Sequence, residues 1–181
     1  MGEETIDLAS NEIYVLEDFI SEETNNLLLS YVNLDGDEGW QSRGIGTTES
    51  ADSLTEFFYE EGDKLENRIL NLFNNSEHLH LNSMRKIRRL TPGEFIHGHK
   101  DLGSYGNDFE IRYGAILYLN DDFEGGELYY KDLDIKIKPK KNSLLIHKST
   151  IYHEVLPVTS GVRYSMTTFL KGDSSTAFIA K

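Results

Sequence analysis

Ile111-Arg112-Tyr113-Gly114-Ala115-Ile116-Leu117-Tyr118-Leu119 and, further on, Val162-Arg163-Tyr164-Ser165-Met166-Thr167-Thr168-Phe169-Leu170 are the stretches on which the fold turns. Both are rich in β-branched and aromatic residues, a composition that suits a pleated, half-buried strand. Shorter segments of the same kind, Glu127 to Tyr130, Leu133 to Lys138 and Ser143 to Ile146, lie between them, bounded by Gly, Asn, Asp and Pro signals. A succession of short strands with no helical pattern among them predicts a sandwich or barrel. Upstream the period changes. A helix is expected from Ser21, a suitable N-cap, with Glu22 and Glu23 in the first turn where the helix dipole favours negative charge. Leu27, Leu28, Tyr31 and Val32 are its expected buried stripe. A second helix is expected from about Ser53, carrying Leu54, Phe57, Phe58, Leu65, Ile69, Leu72 and Phe73, with Gly62 as a break. Between the two, residues 35–52 read as a polar loop containing Trp40, Arg43, Gly44 and Gly46, and Gly172 to Lys181 reads as a loosely held tail. The chain is thus expected to be one domain, with helical support over about 1–80 and a β core over about 81–171.

The chemistry concentrates in His99-Lys100-Asp101. In an extended segment alternate residues point to the same side, so His99 and Asp101 can project toward one ion while Lys100 points away. A third ligand must come from a distant strand, and His153 is the candidate. Two imidazoles and one carboxylate leave roughly half of an octahedral Fe(II) sphere open, enough for a chelating cosubstrate and O2. Arg163 follows His153 by ten residues. Its planar, permanently charged donor fork suits a carboxylate, and strand alternation turns Arg163 and Ser165 to one face.

Around these residues run Thr91-Pro92-Gly93-Glu94-Phe95-Ile96, Leu119-Asn120, Phe123-Glu124-Gly125-Gly126-Glu127-Leu128, His153-Glu154-Val155-Leu156-Pro157-Val158 and Gly161-Val162-Arg163-Tyr164-Ser165. Together they resemble the prolyl 4-hydroxylase-like branch of the 2-oxoglutarate and Fe(II)-dependent dioxygenases, closely over about residues 84–171 and more faintly from Leu16 to Glu23 and Trp40 to Gly46. The resemblance implies a mostly β fold with flanking helices, the double-stranded β-helix (jelly roll, cupin-like). It implies Fe(II), 2-oxoglutarate and O2 as cofactors, with ascorbate as a candidate addition. It implies that His99, Asp101 and His153 are the catalytic metal ligands and that Arg163 binds the distal carboxylate of 2-oxoglutarate, with Tyr118 and Ser165 beside it. A carboxylate at position 101 argues for hydroxylation, because the related halogenases carry a small residue there. Two features depart from the pattern. Leu90-Thr91 stands where the family commonly has a tyrosine, so Thr91 is a candidate replacement. His97 and His147 are spare histidines, expected in supporting roles, since His147 lies sixteen residues before Arg163 and so misses the family's spacing.

By the same resemblance the expected reaction is hydroxylation of prolyl residues in a peptide or protein, with release of succinate and CO2. Hydroxylation of a free amino acid or other small molecule, a non-catalytic jelly-roll binding module, and a zinc hydrolase using Glu154 as base are the alternatives. Trp40, Arg43 and Tyr105 are candidate substrate contacts, because they lie in glycine-hinged segments that could close over a site.

Composition narrows the remaining classes. The chain has 181 residues and no cysteine, which excludes disulfides and thiolate chemistry. Its net charge is −13, with 19 acidic and 3 basic residues in 1–80 against 12 and 15 in 81–181. A chain so acidic is a poor nucleic-acid partner, since phosphate binding needs Lys and Arg to displace counterions. The Arg85-Lys86-Ile87-Arg88-Arg89 cluster reads as a charged strand face or as a contact for an anion. No basic and apolar leader opens the chain and no apolar run is long enough to span a bilayer, so a cytoplasmic, membrane-free protein is expected.

Overall fold

The computed structural model describes residues 12–30, 32, 40–42, 48–50, 59–81, 87–102, 110–173 and 175–179. In chain order its strands are β1 (Ile13–Leu16), β2 (Trp40–Ser42), β3 (Thr48–Ser50), β4 (His80–Leu81), β5 (Ile87–Leu90), β6 (Ile96–His99), β7 (Glu110–Tyr118), β8 (Glu124–Gly125), β9 (Leu128–Tyr130), β10 (Ile135–Ile137), β11 (Leu144–Lys148), β12 (His153–Val155), β13 (Val158–Ser160) and β14 (Arg163–Gly172). Among the described residues the α-helices are α1 (Glu22–Ser30) and α2 (Tyr59–Leu70). The strands form a large antiparallel sheet in the order β1-β11-β7-β14-β5-β3-β2, with β4 also on β14, a four-stranded sheet β10-β9-β12-β6, and the small pair β13-β8. This is the expected double-stranded β-helix.

Strand β7 shows why both faces of the large sheet are apolar. Ala115 and Leu117 turn toward the helices, joining Leu28, Val32, Leu65, Ile69 and Phe73 in one core. Ile116 and Tyr118 turn the other way, joining Leu128, Tyr130, Val155 and Val158 between the two sheets. With one face under helices and the other under a second sheet, the strand reads as a continuous apolar run instead of an alternation.

Ser21 caps α1 as expected, its Oγ accepting a hydrogen bond from the Thr24 N–H at 3.1 Å. The buried stripe differs in part: Leu28 is buried, but Leu27 is exposed. Asn25 is buried in its place and donates from Nδ2 to the Leu119 carbonyl at 2.8 Å. Its Nδ2 thereby satisfies a distant backbone carbonyl, while among the described residues its Oδ1 has no hydrogen-bond partner. Tyr31 lies outside the described residues. Helix α2 runs unbroken through Gly62, which is itself buried, so the expected break is absent. Leu72 and Phe73 follow the helix end instead of extending it.

Three further expectations are corrected. The N-terminal support contains strands as well as helices: β1 pairs with β11 from Ile13 opposite His147 to Leu16 opposite Leu144. The stretch read as a loop around Trp40 holds the β2–β3 hairpin, which extends the large sheet beyond β5. Polar strand-edge residues carry no alternation to betray them. The C-terminal tail is docked as far as Ile179: its N–H donates to Leu72 O at 2.9 Å, and the Phe178 ring stacks on Tyr14 with centroids 4.0 Å apart. Among the described residues no helix is long and apolar enough to cross a membrane.

Candidate active site

The register of the small sheet brings two histidines together. Strands β12 and β6 pair with His153 opposite His99, and the two rings lie 4.5 Å apart between centroids. Asp101 lies two residues past the end of β6, its N–H donating to the Ser149 carbonyl at 3.0 Å, which fixes the chain where the carboxylate turns inward. As a result one ligand atom each from His99, Asp101 and His153 lies within 4.8 Å of the others, and the three could hold one metal ion. Both rings are already oriented for this. His99 Nδ1–H donates to the His97 carbonyl at 2.7 Å and His153 Nδ1–H to the Ile151 carbonyl at 3.0 Å. Each Nε2 thus faces the cluster, where the neutral ring offers its lone pair to a metal, the usual arrangement of a metal-binding imidazole.

The protonation states agree. Burial pushes the His153 imidazole down to about 4, so it is neutral and able to coordinate. Burial alone would raise Asp101, but hydrogen bonds from His147 and His99 outweigh it and hold the carboxyl well below the usual carboxylate range. His99 is raised by its bond to Asp101, with Nε2 at 3.3 Å from Oδ1, and it is the most exposed of the three. Access to the cluster is therefore from the His99 side.

Arg163 lies deeper. Its side chain enters from β14, 2% exposed, between the sheets. Nη1–H donates to Ser165 Oγ at 2.9 Å, and the guanidinium carbon sits 5.0 Å from the Tyr118 ring centroid. Ser165 is opposite Tyr118 in the β14–β7 register. Strand alternation thus delivers Arg163, Ser165 and Tyr118 to one place, as the sequence predicts. Arg163 Nε and the Tyr118 hydroxyl lie close to each other, and among the described residues neither has a partner in hydrogen-bonding geometry. Buried polar atoms are rarely left so, and a carboxylate would satisfy both. The donor chemistry fits 2-oxoglutarate as well as the His-Asp-His cluster fits Fe(II). The pocket between the two ends is lined by Ile96, Ile116, Leu128 and Val155 together with Arg88 and Phe169.

The remaining sequence candidates divide. His97 is exposed, its ring edge-on to Phe95, and does not face the cluster. The Thr91 hydroxyl donates to Glu94 Oε2 at 3.0 Å within its own turn, so it does not stand in for the missing tyrosine. His147 does support the site, with Nε2 3.2 Å from Asp101 Oδ2. Arg88 lines the pocket, whereas Arg85 and Lys86 lie outside the described residues. So do Arg43 and Tyr105, and of Trp40 only the backbone, in β2, is described. The sequence reading overlooked Tyr130, which touches His147, and the wall residues Thr167 and Phe169. The last two share the parity of Arg163 and Ser165, so continuing that alternation would have found them.

Comparison with known proteins sets this geometry in context. A sequence model described as the 2OG-Fe(II) oxygenase superfamily matches residues 79–171, which include all three cluster residues and Arg163. The chain is 43% identical over 58 residues to human prolyl 3-hydroxylase 2, of which it covers only 8%. A collagen prolyl hydroxylase of Paramecium bursaria chlorella virus 1, solved with 2-oxoglutarate, is similar with a TM-score of 0.63 at 15% identity, covering 91% of this chain and 98% of that one. A Trichoplax adhaerens prolyl hydroxylase, solved with a peptide of hypoxia inducible factor, is similar with a TM-score of 0.65 at 18% identity, covering 93% and 86%. At such identities the likeness is one of fold.

Proposed function

Since the chain belongs to the 2OG-Fe(II) oxygenase superfamily, we propose that this dioxygenase hydroxylates prolyl residues in a peptide or protein, with His99, Asp101 and His153 as its metal ligands. Fe(II) with 2-oxoglutarate and O2 supplies the oxidation, and succinate and CO2 are released. The chain's own residues bind, orient and exclude water. His99, Asp101 and His153 would hold the ion through three of its positions and would leave the rest for cosubstrate and O2. Arg163 and Tyr118 receive the distal carboxylate of 2-oxoglutarate, and Ser165 keeps the guanidinium turned toward it. Ile96, Leu128 and Val155 keep the wall between the two ends dry.

The observation that carries this reading is the pairing of a convergent His-Asp-His cluster with a buried guanidinium whose Nε, like the neighbouring Tyr118 hydroxyl, makes no hydrogen bond among the described residues. The preference for a prolyl substrate is supported by the short match to human prolyl 3-hydroxylase 2 and by the folds of the viral and Trichoplax hydroxylases. Trp40, Arg43 and Tyr105 are proposed to contact the substrate. The test is incubation with Fe(II), 2-oxoglutarate and either proline-rich peptides or free proline. The expected result is gain of one oxygen atom by the peptide, in step with succinate. Oxidation of free proline alone, or of neither, contradicts the prolyl-peptide assignment.

A further inference from the structure

Behind Asp101 stands a hydrogen-bonded pair that the reaction itself does not require. Tyr130, on β9 of the small sheet, is fully buried, and its hydroxyl lies 2.9 Å from His147 Nδ1. His147, on β11 of the large sheet, is 1% exposed, and its Nε2 lies 3.2 Å from Asp101 Oδ2. The direction of this chain is set by its last member. A carboxylate only accepts, so Nε2 must carry the hydrogen; in the neutral ring Nδ1 is then the acceptor, and the phenol donates to it. Both nitrogens of His147 are thereby engaged, which leaves no lone pair for an ion. The geometry agrees, because the group that converges to ligand distance is His99, Asp101 and His153.

The surrounding backbone makes room for the pair. Gly114 on β7 lies opposite His147 in the register. A Cβ there would stand 2.4 Å from His147 Nε2 and 2.6 Å from Asp101 Oδ2. A side chain at position 114 and the His147–Asp101 contact are mutually exclusive without movement.

We propose that Tyr130 and His147 are positioning residues for the carboxylate ligand: the phenol holds the imidazole, and the imidazole holds Oδ2, so that Asp101 offers a metal one oxygen, Oδ1. This rests on the metal-site reading above. A carboxylate free to rotate could chelate through both oxygens and take a position the cosubstrate needs; one oxygen tied back by Nε2–H cannot. The two residues come from different sheets, so the pair also locks the site to the packing of the sandwich.

Cobalt(II) tests this without turnover, since its visible absorption reports coordination number and its titration reports affinity. The variants are His147→Phe, His147→Gln and Tyr130→Phe, each compared with the parent chain. We expect His147→Phe to bind cobalt about 10–100-fold more weakly, the usual loss when a partner behind a ligand is removed, and to shift the cobalt spectrum. His147→Gln, whose amide can still donate to Oδ2, should recover most of the affinity and the parent spectrum. Tyr130→Phe removes one hydroxyl and should weaken binding by a few-fold; it serves as the readout if His147→Phe does not fold. Unchanged affinity and spectrum in a folded His147→Phe, or in Tyr130→Phe if the former does not fold, overturns the proposal. So does failure of His147→Gln to recover the parent spectrum, which would make His147 itself a ligand. A parent chain that binds no cobalt, or whose binding survives Asp101→Ala and His153→Ala, instead sinks the metal-site reading on which the proposal rests.

Discussion

Replacing Arg163 with methionine should damage cosubstrate binding far more than folding. The residue is 2% exposed, and among the described residues no acidic side chain pairs with it. Desolvating an ion costs several kcal/mol even after relaxation. Against this stand one charged hydrogen bond to Ser165 at 2.9 Å, worth about 1.5–3 kcal/mol, and the Tyr118 face at 5.0 Å, worth about 2 kcal/mol when desolvated. These contributions nearly cancel, so an apolar side chain of similar length should leave the cosubstrate-free protein within about 1 kcal/mol of the parent, or about 2–4 °C in Tm at this size. The bound state has no such compensation. Truncating one partner of a buried, hydrogen-bonded charge pair costs about 2–5 kcal/mol, which is roughly 30-fold to a few-thousand-fold in affinity for 2-oxoglutarate. The assay is anaerobic titration of the Mn(II)-loaded protein with 2-oxoglutarate, beside a thermal melt of the cosubstrate-free variant. Arg163→Lys keeps the charge but loses the fork and should fall between. Parent-like affinity in a folded Arg163→Met protein would remove Arg163 from the cosubstrate site.

Tyr118→Phe removes a buried hydroxyl that makes no hydrogen bond among the described residues, so stability should hold or rise while 2-oxoglutarate affinity falls by about 10–100-fold, the worth of one hydrogen bond to a charged group; equal affinities would remove Tyr118 from the cosubstrate site. Gly114→Ala ordinarily helps a strand by about 0.5–1 kcal/mol, but here the new Cβ meets His147 and Asp101 below 3 Å. Overpacking should reverse the sign, costing about 1–3 kcal/mol with weaker Mn(II) binding, and a melt at or above the parent would contradict the packing. Metal affinity should depend on pH through one proton. His99 is raised above its ordinary 6.5 by Asp101 while burial holds His153 at about 4; between these values His99 alone must lose a proton to bind. Affinity should fall by about tenfold per unit as pH drops through that window, and a slope of zero or two on Mn(II) titration would count against these protonation states.

Much of this site is legible in the sequence because its geometry is local. His99 and Asp101 share a side by strand parity, Arg163 and Ser165 likewise, and Thr167 and Phe169 continue that parity along the pocket wall. What links distant strands is harder to read. Tyr130 and His147 look like ordinary core positions, and only the packing of β9 against β11 joins them to Asp101. The β2–β3 hairpin escapes notice for a different reason, since short polar strands at a sheet edge have no buried face to impose a pattern. Phe178 reads as part of a tail, yet it packs on Tyr14 and Phe73, a contact between chain ends that no local pattern encodes. Asn25 is buried and Leu27 exposed, the amide reaching the Leu119 carbonyl, and hydrophobic periodicity does not register such a contact.

The most direct measurement is an anaerobic titration of the metal-free chain with Fe(II) and then 2-oxoglutarate, followed by visible charge-transfer absorption. The expected result is a band that needs both additions, saturates at one equivalent of each, and is lost in Asp101→Ala and in His153→Ala. No band in the parent chain, or one that survives both substitutions, would contradict it.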